Sequence, residues 1–232
     1  MNAVLNHDNL KTVRERIQQS AMKAGRSPED VQIVAVTKKF PIETLESALD
    51  GALSVLGESR VQEAEVKMPG FSRRRDIELH LIGHLQSNKV RKAIELFDVI
   101  QTVDSLKLGQ RISRIALDEK TRQRIYLQVN TGNDPAKFGV ASEAALETAL
   151  KLGQLPGIIL EGVMMIAPIM DDQKKLAGIF AQTRKIRDDI HDSGITSCKF
   201  LSMGMTADFE LAVQEGATHI RLGTALFGTR PV

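Results

Sequence analysis

The chain has 232 residues, with 31 Lys and Arg against 29 Asp and Glu and a formal net charge of +2, a balance that gives no electrostatic case for nucleic acid or a membrane surface as partner. Hydrophobic residues make up 42% and charged residues 26%, which fits a soluble globular protein, and no apolar run approaches the ~20 residues of a spanning helix. The lone cysteine, Cys198, excludes an intramolecular disulfide; with a polar N-terminus that carries no secretory signal, it sets the expectation of a reducing, cytoplasmic location.

Leu10, Val13, Ile17, Ala21 and Ala24 recur at helical spacing and predict an amphipathic helix that Gly25 ends. Residues 27–30 read as a cap and short turn. A strand over 31–37 leads to a helix over 42–50, and the unit then recurs. Strands are expected over 53–56, 78–82, 99–103, 125–129, 158–165, 199–203 and 219–222. The helices between them fall over 59–67, 87–96, 105–120, 142–152, 172–192 and 207–214. Each strand is short and mostly apolar, as in parallel sheets covered on both faces. A (β/α)₈ (TIM) barrel is the simplest closure, an open doubly wound sheet the alternative. Too little chain follows the eighth strand for a full helix, so the N-terminal helix is expected to fill that slot. Residues 1–232 read as one domain, without linker or low-complexity stretch.

In such barrels the site lies at the carboxyl ends of the strands. The first strand ends at Lys38, just before Pro41, which suits the first turn of a helix. An amine leaving an apolar core there is partly desolvated and suited to act as a neutral nucleophile that condenses with an aldehyde. Taken alone, it is equally a solvated strand-end lysine. The second strand end gives Gly57, Glu58 and Ser59; the third gives His80 and His84. The seventh runs through SMGMT, Ser202 to Thr206, and the eighth through RLGT, Arg221 to Thr224. Gly204 and Gly223 let backbone approach closely, and exposed amides with the Thr206 and Thr224 hydroxyls make an anion site. Singly, each loop reads as well as a tight turn with a helix cap. Consecutive, they predict a phosphate cradle opposite an imine-forming lysine, hence an aldehyde that also carries phosphate. Glu58 is expected to pair with Lys38 or with a backbone amide. His80 reads as a core histidine or a site residue, and His84 as a ligand contact or a surface or capping residue. No spacing of His, Cys and carboxylates resembles a metal site, and there is no Walker loop or GxGxxG.

The motifs VAVTK, GESRVQE, HLIGHLQSNK, QVNTGNDPAKFG, GVMMIAP, LSMGMTADFELAV and RLGTALFG resemble, in order, those of the pyridoxal-phosphate homeostasis protein family, which is related to the barrel domain of alanine racemase. The resemblance spans nearly the whole chain. It implies a (β/α)₈ barrel carrying pyridoxal 5′-phosphate (PLP) as an internal aldimine on Lys38. It further implies phosphate held by the loops of Gly204, Met205, Thr206, Gly223 and Thr224, and Arg221 facing the pyridine nitrogen. His80 and Ser202 match positions near the cofactor. Two positions depart from the family pattern. Ser59 stands where the family often has Asn, and Phe40 where many members have a second lysine; Lys39 and Lys137 are the candidate substitutes.

Arginine at the ring nitrogen only donates and is always protonated, so it leaves that nitrogen unprotonated and weakens the electron sink. Alanine racemases work with such a ring by using two bases, one a tyrosine from an added domain. The only tyrosine here, Tyr126, falls inside the fifth strand. The expectation is therefore a non-enzymatic carrier that buffers or delivers PLP, a monomer whose partners are PLP and PLP-dependent apo-enzymes. The alternatives are a weak PLP-dependent racemase and a class I aldolase-like barrel with a substrate imine on Lys38.

Overall fold

The structure is a computed structural model and describes residues 4–228. Its strands are β1 (Gln32–Val36), β2 (Val55–Glu58), β3 (Glu78–Leu81), β4 (Val99–Val103), β5 (Gln123–Gln128), β6 (Ile158–Met164), β7 (Phe200–Ser202) and β8 (His219–Leu222). They pair in sequence order, all parallel, and β8 returns to β1 through Ala35 opposite Leu222, so the sheet closes. Helices α1 (His7–Lys23), α2 (Ile42–Asp50), α3 (Val61–Lys67), α4 (Val90–Leu96), α5 (Leu106–Asp118), α6 (Ala145–Gly153), α7 (Gln173–Asp192), α8 (Phe209–Gln214) and α9 (Thr224–Phe227) surround it. This is the expected (β/α)₈ barrel and not the open sheet.

Period-2 alternation separates two apolar regions. Ile33 and Ala35 of β1 join the main core between strands and helices, while Val34 and Val36 pack inside with Val55 and Ile82. Burying a leucine such as Leu45 or Leu56 stabilises by about 1.5–3 kcal/mol.

Helix α1 occupies the outer-ring place that the four-residue α9 does not fill. Leu10, Val13, Ile17 and Ala21 are its buried face. On one side Arg16 pairs with Glu210 of α8 and lies 4.6 Å over the Phe209 ring. On the other, Arg14 donates to the Gly51 carbonyl after α2. The Asn6 side chain caps the helix through the Asn9 amide, and the Asn6 amide bonds the Leu226 carbonyl.

The expected second strand sits two residues too early. Leu53 is buried but lies before the ladder, which runs on to Glu58. Glu58 stays in the strand because its carboxylate finds partners inside, as described below.

Inside the barrel, side chains of non-neighbouring strands touch. His80 of β3 stacks on His219 of β8 at 6.0 Å, and Tyr126 of β5 meets His219 edge-on at 5.8 Å. Toward the amino ends of the strands Arg124 is clamped between Glu78 and Glu161. The interior is therefore filled and polar at several levels.

Candidate functional site at the barrel mouth

Lys38 lies in a turn closed by the Phe40 amide donating to the Thr37 carbonyl, 3.1 Å. Lys39, the next residue, has φ 63°, a left-handed conformation unusual for a side-chain-bearing residue. A clasp from the second βα unit holds this turn. The buried Thr37 hydroxyl donates to Glu58 Oε1 at 2.8 Å. Lys67 Nζ donates to the Thr37 carbonyl at 3.0 Å, Glu58 Oε1 at 2.9 Å and Glu63 Oε1 at 2.6 Å. Glu63 also accepts the Lys39 amide. Burial pushes the Glu58 carboxyl up, and the Lys67 ammonium opposes that. Glu58 Oε2 is buried without a hydrogen-bond partner among the described residues. The sequence set the expectation that Glu58 pairs with Lys38 or a backbone amide; Thr37 and Lys67 hold its Oε1, because α3 returns Lys67 over the end of β2.

Phe40 does not approach the mouth. It is buried against Phe227, ring centroids 5.5 Å apart. Lys137 departs from an exposed loop lysine: Nζ donates to the Ala167 carbonyl at 2.5 Å, tying the loop after β5 to the end of β6. Ser59 is half-buried at the end of β2, and its backbone lies so close to Gly83 that a Cβ there would sit 2.2 Å from the Ser59 carbonyl oxygen.

The ends of β7 and β8 come together next to β1. Gly204 has φ 92°, and a Cβ there would lie 2.6 Å from Ala212 Cβ. Its carbonyl accepts the Arg221 amide at 3.0 Å. A Cβ on Gly223 would lie 3.3 Å from the Val36 carbonyl oxygen, so this loop sits against β1 two residues before Lys38. Thr206 and Thr224 are exposed, as is Met205. Neither threonine hydroxyl has a hydrogen-bond partner among the described residues, and the Thr206 and Ala207 amides likewise have none. Unpaired donors on a glycine-backed loop suit an anionic oxygen cluster.

Arg221 is buried, and that burial lowers its pKa to about 10, still a cation at neutral pH. Nη1 donates to Ser202 Oγ and Nη2 to the Met165 carbonyl, both at 2.8 Å; Nε has no protein acceptor among the described residues. Because arginine only donates, the direction of the chain beyond it is set. Ser202 Oγ passes its hydrogen to Gln101 Oε1 at 2.7 Å, and Gln101 Nε2 donates to His80 Nδ1 at 2.6 Å. His80 therefore carries its hydrogen on Nε2 and gives it to Glu78 Oε1 at 2.6 Å. The chain ends on Glu78, held down to about 2 by the His80 hydrogen bond and then by Arg124. His80 thus lies beneath the mouth and connects to it through Gln101 and Ser202. Gln101 was missed in the sequence; the signal was a polar residue in VIQTV two places from inward Val99.

Tyr126 is fully buried in the interior, its hydroxyl has no hydrogen-bond partner among the described residues, and burial pushes its pKa up. Among the described residues, His84 makes no ion pair, hydrogen bond or ring contact with strands β7 or β8. It pairs with Asp104 and stacks on Phe138.

A lysine-bearing turn, a buried arginine and an unpaired donor loop at one barrel mouth define a barrel of the alanine racemase N-terminal-domain class, and that family's model matches residues 9–231. The chain belongs to the pyridoxal phosphate homeostasis protein family. The proteins of that name from Vibrio alginolyticus and Pseudomonas aeruginosa are 33% and 36% identical to it; the matches span 96% of this chain and 96% and 95% of those proteins. The structure of PipY from Synechococcus elongatus with PLP bound is 36% identical, with a TM-score of 0.81 over 93% of this chain and 100% of that one. An unknown protein from Bifidobacterium adolescentis is 37% identical, with a TM-score of 0.91 over 94% and 93%. Alanine racemase from Clostridium difficile, 20% identical with a TM-score of 0.74 over 98% of this chain and 58% of that one, shares the fold alone.

Proposed function

We propose that the protein binds pyridoxal 5′-phosphate at the barrel mouth, covalently through the Lys38 amine, and serves as an intracellular carrier that buffers the cofactor and delivers it to PLP-dependent apo-enzymes. The observation that carries this reading is the meeting of the β1, β7 and β8 ends. The Lys38 turn and the unpaired donors of the Gly204 and Gly223 loops lie on neighbouring strands, with Arg221 buried between them. That set fits the group: an amine for the aldehyde, neutral donors for the phosphate, and a cationic donor with a spare N–H for the ring nitrogen. PLP supplies, when bound, an aldehyde and an electron-accepting ring. Lys38 would hold that aldehyde through its amine. Thr206, Thr224 and the amides of their loops would hold the phosphate, and Gly204, Met205 and Gly223 shape the loops that carry them. Arg221, oriented by Ser202 and the chain through Gln101 to His80, would offer its spare N–H to the ring nitrogen. Ser59 lies on the β2 side of the site.

The same residues argue against amino-acid racemisation. An arginine that only donates leaves the ring a weak electron sink, and the sole tyrosine, Tyr126, is sealed inside the barrel with its pKa raised, unable to act as a second base. The carrier is proposed to act as a monomer in the cytoplasm; among the described residues no helix is long and apolar enough to cross a membrane. The test is transfer. Purified holo-protein is mixed with a PLP-dependent apo-enzyme and the enzyme's activity followed, alongside racemase assays on several amino acids. Reactivation without measurable racemisation is expected. Turnover at rates ordinary for enzymes, above about 1 s⁻¹, would overturn the carrier reading in favour of a PLP-dependent racemase. Comparing vitamin B6 vitamer pools in cells with and without the gene tests homeostasis directly.

A further inference from the structure

A cavity of about 560 Å³ lies beside the barrel, between the 3-10 turn Ser87–Lys89 and α5, and reaches the ends of β3 and β4 at His84 and Asp104. Lys107, Arg111 and Arg114 line it. Their spacing of four and three residues puts them on one face of α5. None of the three makes an ion pair among the described residues, whereas Arg91 nearby takes the carboxylates of Asp118 and Glu119. Three like charges on one helix face repel one another, and among the described residues no ion pair offsets this.

Arg111 is already oriented. Its Nε donates to the Ser87 carbonyl at 2.5 Å, and its two terminal amino groups have no hydrogen-bond partner among the described residues. Such a fork matches phosphate oxygens. The one carboxylate in the lining, Asp104, is engaged by His84 Nδ1 and by the Ser105 hydroxyl, each at 3.3 Å. His84 is in turn fixed flat on Phe138, 3.9 Å between ring centroids. Leu85 and Leu108, both buried, give the cavity an apolar floor. Its volume is that of a small-molecule site.

We infer that this cavity is a second, non-covalent binding site for a small phosphate ester, its phosphate on Arg111 and Arg114 with Lys107 adding charge, and its carbon part on Leu85 and Leu108. The site lies at the β3–β4 edge of the barrel, away from the meeting of the β1, β7 and β8 ends, and does not depend on Lys38.

The test loads the protein with PLP and reduces it with borohydride, so that the mouth is permanently filled, then titrates it calorimetrically with phenyl phosphate, inorganic phosphate and a poly-glutamate peptide. One equivalent of phenyl phosphate is expected to bind, more tightly than inorganic phosphate and more weakly as salt is raised. Arg111→Ala and Arg114→Ala, checked for unchanged melting, are each expected to weaken it at least tenfold, and Lys38→Ala without cofactor to retain it. No saturable binding, binding indifferent to both arginines, or a tighter hold on the peptide than on phenyl phosphate would overturn the inference. A failure at the mouth would be seen separately, as absence of visible absorption after addition of PLP, whereas failure of this inference leaves that absorption intact.

Discussion

Ser202 of β7 donates to Gln101 of β4 at 2.7 Å, across the interior between strands that are not neighbours in the barrel. Gln101 is the one side chain here that both accepts from the mouth and donates to the floor, through His80. Gln101→Leu removes both bonds and leaves the Ser202 hydroxyl hydrogen and His80 Nδ1 buried without partners, although Ser202 Oγ still accepts from Arg221. A loss of about 1–3 kcal/mol in unfolding free energy is expected by urea titration. PLP should also bind about tenfold more weakly, which corresponds to roughly 1.4 kcal/mol, because Arg221 loses the order its Ser202 contact receives from below. Unchanged affinity in a destabilised variant would show that the chain supports the barrel but not the site.

The Glu58–Lys67 pair sets a second prediction. Glu58 is fully buried, so Lys67→Met strands a carboxylate beside an already unpartnered Oε2. A loss of about 3–5 kcal/mol is expected. The double variant Glu58→Gln with Lys67→Met should recover a substantial part of this, because no buried charge remains. Chemical denaturation of the four proteins in the cycle measures it; equal losses in single and double variants would contradict a buried ion pair.

Acid should weaken the fold in two stages. Burial, with His80 nearby, pushes His219 down to about 3, whereas an unfolded histidine takes its proton near 6.5. The unfolded chain therefore binds more protons between these values, so stability is full above about pH 6.5 and declines as pH falls toward 3. Glu78, held down to about 2, contributes above its unfolded value of about 4.3; that part is lost as pH falls from there toward 2. Urea midpoints at pH 7.5, 6, 5 and 4 follow the first stage. His219→Gln should flatten it and leave the second.

Gly204 combines φ 92° with a Cβ position 2.6 Å from Ala212 Cβ. Gly204→Ala is expected to cost more than about 1 kcal/mol and to lower PLP affinity, since the loop carrying Thr206 must shift. Gly178, where an added Cβ meets nothing within 4 Å, is the control: in the middle of α7, Gly178→Ala should stabilise by about 0.5–1 kcal/mol.

Local patterns carried the barrel, and long-range ones did not carry its interior. The strands were legible because β1 to β8 are short apolar runs; α1 was legible from its apolar stripe at Leu10, Val13 and Ile17, and its place from the short run after the eighth strand. The glycine loops were legible because SMGMT and RLGT stand at consecutive strand ends. Three features needed coordinates. The partner of Glu58 is Lys67, nine residues away, brought back by a helix whose end was readable but whose direction was not. Phe40 faces the helices because the turn at Lys39 reverses the chain. Gln101 meets Ser202 only because closure brings β4 opposite β7.

The central claim concerns one nitrogen. Holo-protein reduced with borohydride, digested and mapped by mass spectrometry locates the bound cofactor. The account predicts a phosphopyridoxyl group on the peptide containing Lys38, and loss of visible absorption in Lys38→Ala. A group found instead on Lys39, Lys67 or Lys137 in the otherwise unaltered protein, or full absorption in Lys38→Ala, would contradict it.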